Sequence, residues 1–207
     1  MIDERAALIA ERTAFHEMLT DLADDDWDAA SLCEGWRVRD VAAHAHLGAT
    51  MTIPAALIGL ARARGGFDRF MNAQVRVEGS KPISEILGIW SEVARSSKVP
   101  PILKRVAQAI DVFVHHHDIA LPLDRSVPLD PARLRWMADG LVGTGKPIGG
   151  AARVDGLRLI ATDIDWHYGT GPEVAGPAAA IILGGCGRRA LDDELSGDGV
   201  AQLRQRG

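Results

Sequence analysis

Residues 110–119 read Ile110-Asp111-Val112-Phe113-Val114-His115-His116-His117-Asp118-Ile119 and place five ionisable side chains in an otherwise apolar segment. Because an α-helix advances about 100° per residue, Asp111, His115 and Asp118 fall within roughly 60° of one another. Apolar residues flank this polar stripe on both sides, so we expect it to face the protein interior. Buried carboxylates and imidazoles are costly unless they pair or bind a metal. The segment therefore predicts a helix that carries an ion-pair network or a metal site.

Helical patterns precede the polar stripe. Asp3 is positioned as the N-cap of a first helix, and Pro54 and the glycine-containing residues 62–66 are expected to interrupt regular structure. The helix of the polar stripe lies between the proline pair 100–101 and Pro122. Four successive helices joined by turns are typical of a bundle. The three preceding helices are predicted at about residues 3–22, 37–47 and 83–93.

The pattern changes beyond a fifth predicted helix at residues 134–142. Glycines and prolines between residues 143 and 150 predict a boundary. The Asp155-Gly156 turn predicts a hairpin over residues 153–162. A further strand at 164–169 and a last substantial helix at 176–186 follow. We therefore predict an α+β fold that is mainly α. A helical bundle spans residues 1–145, and a small C-terminal α/β domain spans residues 146–207.

Composition narrows the function classes. The chain has 207 residues, 47% of them hydrophobic and 25% charged, with a net charge of −5, which is ordinary for a soluble globular protein. A basic patch for nucleic acid and an apolar stretch long enough to cross a membrane are both missing. The charged N-terminus does not resemble a signal peptide, so we expect a cytoplasmic protein. Cys33 and Cys186 are expected to be reduced and to act as small buried apolar residues.

The polar stripe contains the spacing of a metal-ligand pair. Asp111 and His115 are four residues apart, and a carboxylate with an imidazole suits Zn²⁺, Fe²⁺, Mn²⁺ or Ni²⁺. Asp118 is placed to accept a hydrogen bond from the other nitrogen of a ligand histidine. A third ligand must come from another element, and the second helix offers His44 and His46. Three protein ligands leave a coordination position open, as in catalytic metal sites.

Simpler interpretations account for several of these residues. By spacing alone, a pair such as Asp111 with His115 is more often a structural ion pair than a metal site, and Asp40 with His44 has the same spacing and could form such a pair. Neighbours on a helix diverge by about 100°, so His116 and His117 cannot both share the ligand face. The serines lack the context of a hydrolase nucleophile. Core packing is the expected role of the tryptophans Trp27, Trp36, Trp90, Trp136 and Trp166.

Two motifs together resemble the mycothiol-dependent maleylpyruvate isomerase family of the DinB-like superfamily. Residues 32–44 read LCEGWRVRDVAAH, similar to a family signature of Leu-Cys-x-Gly-Trp followed by Arg-Asp-x-x-x-His. Residues 111–119 resemble the second signature, an acidic residue with a histidine four positions later. The resemblance continues in order through residues 161–166, 176–177, 187–188 and 195–199, and so covers nearly the whole chain.

The resemblance implies a DinB-like four-helix bundle that holds a divalent metal, usually zinc, through His44, Asp111 and His115. Asp111 departs from the best-characterised branch of the family, where the acidic ligand is Glu. The family also has a functional arginine in its C-terminal part. Arg188 is the best match, although Arg189 leaves the register open by one residue. That guanidinium is expected to orient a substrate carboxylate.

The function implied is a mycothiol-dependent isomerase or thiol S-transferase that acts on a small electrophilic molecule. A metal-dependent hydrolase on the same bundle is a first alternative. A non-catalytic regulatory protein with a structural metal is a second, and a fourth ligand from His46 or His117 would favour it.

Overall fold

The structure is a computed structural model that describes residues 2–64, 66–100, 103–143 and 150–206. Ten α-helices and three short strands lie within these ranges. The helices are α1 (Glu4–Thr20), α2 (Val38–Thr50), α3 (Ile53–Arg62), α4 (Phe67–Gly79), α5 (Ile83–Ala94), α6 (Arg105–Ala120), α7 (Pro131–Gly143), α8 (Gly150–Val154), α9 (Ala178–Gly185) and α10 (Val200–Gln205). The strands are β1 (Arg158–Ala161), β2 (His167–Tyr168) and β3 (Glu173–Gly176).

Four helices form the predicted bundle. α1 and α2 each contact both α5 and α6, so α1, α5, α2 and α6 close a ring around a shared core. The first of these helices begins where the sequence indicates, because the Asp3 carboxylate accepts hydrogen bonds from the backbone N–H groups of Arg5 at 2.9 Å and Ala6 at 3.3 Å. These two bonds satisfy donors that have no partner within the first helical turn.

Helix α6, which carries the polar stripe, lies at the centre of the molecule. Fourteen of its sixteen residues are buried. Its Ile110 and Phe113 belong to one hydrophobic core, with α7, α9 and the strands. Its Val112 and Ile119 belong to a second core, between α1, α2 and α5. Burial on both sides confirms that the polar stripe faces the interior.

Two helices between α2 and α5 were not predicted from the sequence. Pro54 was expected to interrupt the chain, but it is the second residue of α3, where a proline has no hydrogen bond to lose. The chain turns at Arg64, while Gly65 lies outside the described residues. Helix α4 then packs along α2. The bundle is therefore flanked by a helical layer where the sequence suggested a long connection.

The C-terminal strands pair differently from the prediction. Gly156 does make a turn with φ of 69°, but the residues before it form α8, so the predicted hairpin over 153–162 is wrong. β1 lies in the middle of the sheet, antiparallel to β2 and parallel to β3. Alternation in the sequence marks a strand but does not identify its partner.

The C-terminal part shares a core with the bundle. One hydrophobic cluster joins Leu8 of α1 and Phe113 of α6 to Leu159 of β1 and Ile181 of α9. The predicted domain boundary at residues 145 and 146 lies outside the described residues, as does Pro101. None of the helices in the described ranges has the length and apolarity needed to span a bilayer. The fold class, α+β and mainly α with a four-helix bundle and a small sheet, is confirmed.

Candidate metal centre

The polar stripe forms one continuous line of contacts along α6. The Nε2 atom of His115 lies 3.6 Å from Oδ1 of Asp111, and its Nδ1 atom lies 2.9 Å from Oδ2 of Asp118. Asp118 has no exposed surface and His115 is 6% exposed. The imidazole is thus held between two carboxylates, one on each of its nitrogens.

His44 of α2 completes a group of three candidate ligands. Its ring packs edge-on against that of His115, with centroids 4.8 Å apart. Ligand atoms of His44, Asp111 and His115 all lie within 4.8 Å of one another. The structure therefore brings the three predicted ligands together from two helices.

The donor atoms around this group fit a metal. The Nδ1 atom of His44 is buried and has no hydrogen-bond partner among the described residues, which is costly for a polar atom unless a ligand binds nearby. Gln108 donates from Nε2 to Oδ2 of Asp111 at 3.1 Å, so the other oxygen, Oδ1, is the one directed at His115. Two imidazoles and an oriented carboxylate match the ligand types of Zn²⁺.

The pKa values of His44 and His115 are shifted in opposite directions. Burial, reinforced by the charge on His115, lowers the pKa of His44 to about 4, so this imidazole is neutral and able to ligate. Burial also acts to lower the pKa of His115, but the hydrogen bond to Asp118 and the nearby charge of Asp111 outweigh it and raise the pKa to about 10. The two carboxylates therefore create the negative potential that a divalent cation needs.

Arg188, which follows α9, reaches this centre through Asp118. Its Nε and Nη2 atoms donate to the two oxygens of Asp118, each at 2.8 Å. Burial acts to raise the pKa of Asp118, but the hydrogen bonds from His115 and Arg188 hold it well below its usual range. A turn at Gly187, with φ of 84°, directs Arg188 inward, whereas Arg189 donates to the carbonyl of Arg204. Of the two arginines that the sequence left as alternatives, Arg188 is therefore the one that lies at the site.

Cys33 lies at the site, in an environment that differs from the predicted one. The thiol was expected in an apolar environment, but it is half-buried and lines a cavity. Its Sγ atom donates to Oδ2 of Asp118 at 3.1 Å and lies 3.6 Å from Nη2 of Arg188. The signal was present in the sequence, because Cys33 belongs to the same motif as His44.

Trp36 is also misassigned as a core residue. It lines the cavity, its ring lies 5.0 Å from that of His44, and its Nε1 atom donates to Oδ1 of Asn72 at 3.0 Å. The other four tryptophans are buried, as predicted. Asn72 lies on α4. Because this helix was not predicted, nothing in the sequence indicated that Asn72 lies beside the cavity.

The remaining histidines lie outside the ligand group. His46 contacts Thr50 through Nδ1, His117 bonds the carbonyl of Phe113 through Nδ1, and His116 packs against Phe15. Among the described residues, neither His46 nor His117 joins the three ligands as a fourth. Asp40 pairs with Arg37, so the alternative pairing of Asp40 with His44 is wrong.

A cavity of about 560 Å³ opens onto this centre. Its wall includes Cys33, Trp36, His44, Met71, His115 and Arg188. The volume lies within the roughly 300–1,000 Å³ typical of small-molecule sites. A molecule in the cavity therefore meets two candidate metal ligands and a guanidinium at once.

Fold and site together define a mainly helical protein in which a four-helix bundle carries a candidate divalent-metal centre. Residues 8–96 match the profile of the mycothiol maleylpyruvate isomerase N-terminal domain. This match confirms the resemblance to the mycothiol-dependent maleylpyruvate isomerase family over these residues.

Two solved structures share the fold. One is a crystal structure of the mycothiol-dependent maleylpyruvate isomerase, which aligns with a TM-score of 0.63 and 15% identity over 95% of this chain and 92% of that chain. The other is a histidine-to-alanine mutant of the mycothiol-dependent maleylpyruvate isomerase, with a TM-score of 0.57 and 14% identity over the same shares of the two chains. No curated protein matches the chain at a significant level.

Proposed function

We propose that this protein is a divalent-metal-dependent enzyme that uses mycothiol to isomerise a small electrophilic substrate, or to form a thiol conjugate with it. The observation that carries the proposal is the convergence of His44, Asp111 and His115 beside a cavity that also contains Arg188. The match of residues 8–96 to the mycothiol maleylpyruvate isomerase N-terminal domain supports the choice of thiol. We also propose a cytoplasmic location, because both cysteines of the chain are unpaired and free thiols are typical of that compartment.

His44, Asp111 and His115 are the residues proposed to hold the metal, and Zn²⁺ is the ion proposed. The nitrogen and oxygen donors suit zinc, and three protein ligands leave a position for an exogenous group. When bound there, the ion supplies positive charge that keeps a thiol deprotonated at neutral pH. The shorter Asp111, in place of the family's Glu, keeps the site close to α6.

Asp118 is proposed to orient His115. Its Oδ2 atom lies 2.9 Å from Nδ1 of the imidazole and accepts a hydrogen bond from the N–H group there. That bond leaves Nε2, the nitrogen beside Asp111, as the ligand atom. Since Asp118 is itself held by both Nε and Nη2 of Arg188, the ring has little freedom to rotate.

Arg188 is proposed to bind the substrate through the part of its guanidinium that Asp118 leaves unused. Nε and Nη2 bond to Asp118, while Nη1 bonds to no other group in the described part of the chain. The arginine side chain is 29% exposed and lines the cavity. Its remaining N–H donors can therefore bind the carboxylate of an anionic substrate and orient it.

The proposed reaction follows from these positions. The thiol sulfur forms a bond to an electrophilic carbon of the substrate, and the double-bond electrons move toward the substrate's activating group. Rotation about the former double bond, now a carbon–carbon single bond, followed by cleavage of the carbon–sulfur bond and expulsion of the same thiol, gives the isomer and regenerates the thiol. In the transferase case the carbon–sulfur bond remains and the intermediate carbanion takes up a proton. Trp36, over His44, helps to exclude water from this end of the cavity.

The test is turnover of a panel of unsaturated and other electrophilic acids with and without mycothiol. We expect conversion only when the zinc-loaded protein and mycothiol are both present. Conversion that ignores the thiol would instead favour the metal-dependent hydrolase. The variant Arg188→Met should raise KM for carboxylate substrates more than for matched neutral esters. An equal effect on acids and esters would contradict the substrate-binding role of Arg188.

A further inference from the structure

Gln108 is a buried amide that contacts one of the proposed metal ligands. It lies on α6, one turn before Asp111, and is 3% exposed. Its Nε2 atom donates to Oδ2 of Asp111 at 3.1 Å, whereas its Oε1 atom is buried and has no hydrogen-bond partner in the described ranges. An unpaired buried acceptor is costly. The stability of the fold therefore does not explain why an amide, rather than an apolar side chain, occupies this position.

The position of this amide depends on a glycine of the facing helix. Gly48 lies on α2, one turn beyond His44, and α2 packs against α6. A Cβ atom at residue 48 would lie 2.3 Å from Oε1 and 2.7 Å from Nε2 of Gln108. Because real Cβ atoms do not approach other atoms so closely, any larger residue there would displace the amide. Gly48 therefore makes room for Gln108 between the two helices that carry the proposed ligands.

The amide of Gln108 determines which oxygen of Asp111 is available to an ion. Oδ2 accepts the hydrogen bond from Gln108, while Oδ1 lies 3.6 Å from Nε2 of His115. A carboxylate held at one oxygen cannot turn to present both oxygens to an ion without breaking that bond. The Asp111 side chain is 36% exposed, so packing alone leaves the carboxylate room to rotate, and the hydrogen bond from Gln108 restricts that rotation.

We propose that Gln108, placed by Gly48, is a positioning residue that keeps Asp111 a one-oxygen ligand and thereby makes the centre selective for Zn²⁺ over Mn²⁺. Zn²⁺ prefers four ligands in proteins, whereas Mn²⁺ prefers a larger set made mostly of oxygens. A carboxylate that offered both oxygens would add a ligand atom and favour the ion with the higher coordination number. This inference rests on the proposed function, because it concerns the ion proposed for that site.

The test is optical titration of the metal-free protein with Co²⁺, whose visible bands are strong in a four-coordinate site and weak at higher coordination numbers. Wild-type protein should give the strong bands. Gln108→Met, which keeps the length of the side chain without the amide, and Gly48→Ala, which displaces the amide, should each weaken them.

The same two variants should lower the ratio of Zn²⁺ to Mn²⁺ affinity by about tenfold, in line with the usual cost of losing a group that orients a metal ligand. Competition with a chelator measures both affinities. Gly88→Ala on α5 is the matched control for Gly48→Ala, because a Cβ atom there meets no atom of the described residues within 4 Å. Gln202→Met on α10 is the control for Gln108→Met. Neither control should change the bands or the ratio.

The outcomes separate this positioning role from the metal site itself. Unchanged Co²⁺ bands and an unchanged affinity ratio in either Gln108→Met or Gly48→Ala would overturn the positioning role while the metal site stands. Equal loss of affinity for both ions with unchanged bands would also overturn it, because a purely structural defect weakens the binding of every ion alike. Wild-type protein that binds neither Co²⁺ nor Zn²⁺ would contradict the proposed function and this inference with it.

Discussion

Asp118 is the residue on which most of the site geometry depends. It has no exposed surface and its carboxylate contacts His115, Cys33 and Arg188 within 3.1 Å. A buried carboxylate is stable only because these donors surround it. The sequence predicted the contact with His115, because Asp118 lies one turn beyond it on the same helical face, but not the contacts with Cys33 and Arg188.

The substitution Asp118→Asn removes the negative charge while nearly keeping the volume. The imidazole of His115 then loses the partner that orients it, and Arg188 loses its counter-charge. We expect zinc affinity to fall by about 10- to 100-fold, the usual cost of losing such a supporting carboxylate. Competition with a chromogenic chelator measures the zinc affinity of the variant and of the wild-type protein. Asp139→Asn, which changes a carboxylate bonded to Trp166, is the control, and unchanged affinity in Asp118→Asn would contradict the account.

Individual site residues were predictable where helical spacing or a motif identified them. Asp111, His115 and Asp118 share a face by geometry, and His44 was identified by the motif at residues 32–44. Cys33 and Trp36 belong to that motif too, but their contacts depend on how a loop folds against α6. No periodicity in the sequence reports such a contact.

At the scale of elements, α6 shows how a helix with fourteen of its sixteen residues buried can still carry charge. The ligand face bonds to other polar groups, while His117 bonds the carbonyl of Phe113 at 2.8 Å. His116 differs, because both of its ring nitrogens are buried without a hydrogen-bond partner in the part of the chain that the structure describes. Burial accordingly lowers its pKa to about 3.

Replacing His116 by leucine should therefore stabilise the protein. Leucine has a similar volume and no polar atoms to leave unpaired beside Phe15. Each unsatisfied buried polar group costs about 1–3 kcal/mol, so we expect the free energy of unfolding to rise by at least about 1 kcal/mol. Urea denaturation at neutral pH measures it. His117→Leu, which loses a hydrogen bond, should gain less, and a loss of stability in His116→Leu would refute this description of the site.

The elements differ in how well the sequence predicted them. The long helices α1, α2, α5, α6 and α7 follow clear apolar periodicity and agree with prediction. Helix α3 was missed because Pro54 suggests an interruption, although proline is well tolerated in a first helical turn. The strands have two to four residues each, too few for alternation to define their pairing.

At the scale of the whole molecule, the C-terminal part contributes directly to the centre in the bundle. Arg188 follows α9, yet its ion pair joins it to Asp118 of α6, 70 residues earlier in the chain. The hydrophobic core that joins α1 and α6 to β1 and α9 holds the two parts in register. Neither link was predictable from local patterns, because both depend on how distant segments pack.

A double-mutant cycle tests the link between the two parts. Arg188→Met leaves the buried Asp118 carboxylate without its main cation, and we expect it to cost about 2–3 kcal/mol. This is less than the 3–5 kcal/mol of a fully buried pair, because Arg188 is 29% exposed. Adding Asp118→Asn should cost little more, because the partner is already absent. Denaturant unfolding of the four proteins measures the coupling, and strictly additive effects would contradict it.

Metal analysis of protein purified without chelators tests most directly whether His44, Asp111 and His115 bind a divalent metal. The wild-type protein should contain close to one zinc ion per chain, as three well-placed ligands require. His44→Ala and His115→Ala should each lose it, while the control His46→Ala, two residues away on α2, should retain it. Metal-free wild-type protein that also fails to take up added zinc, or ligand variants that keep full metal content, would contradict the account.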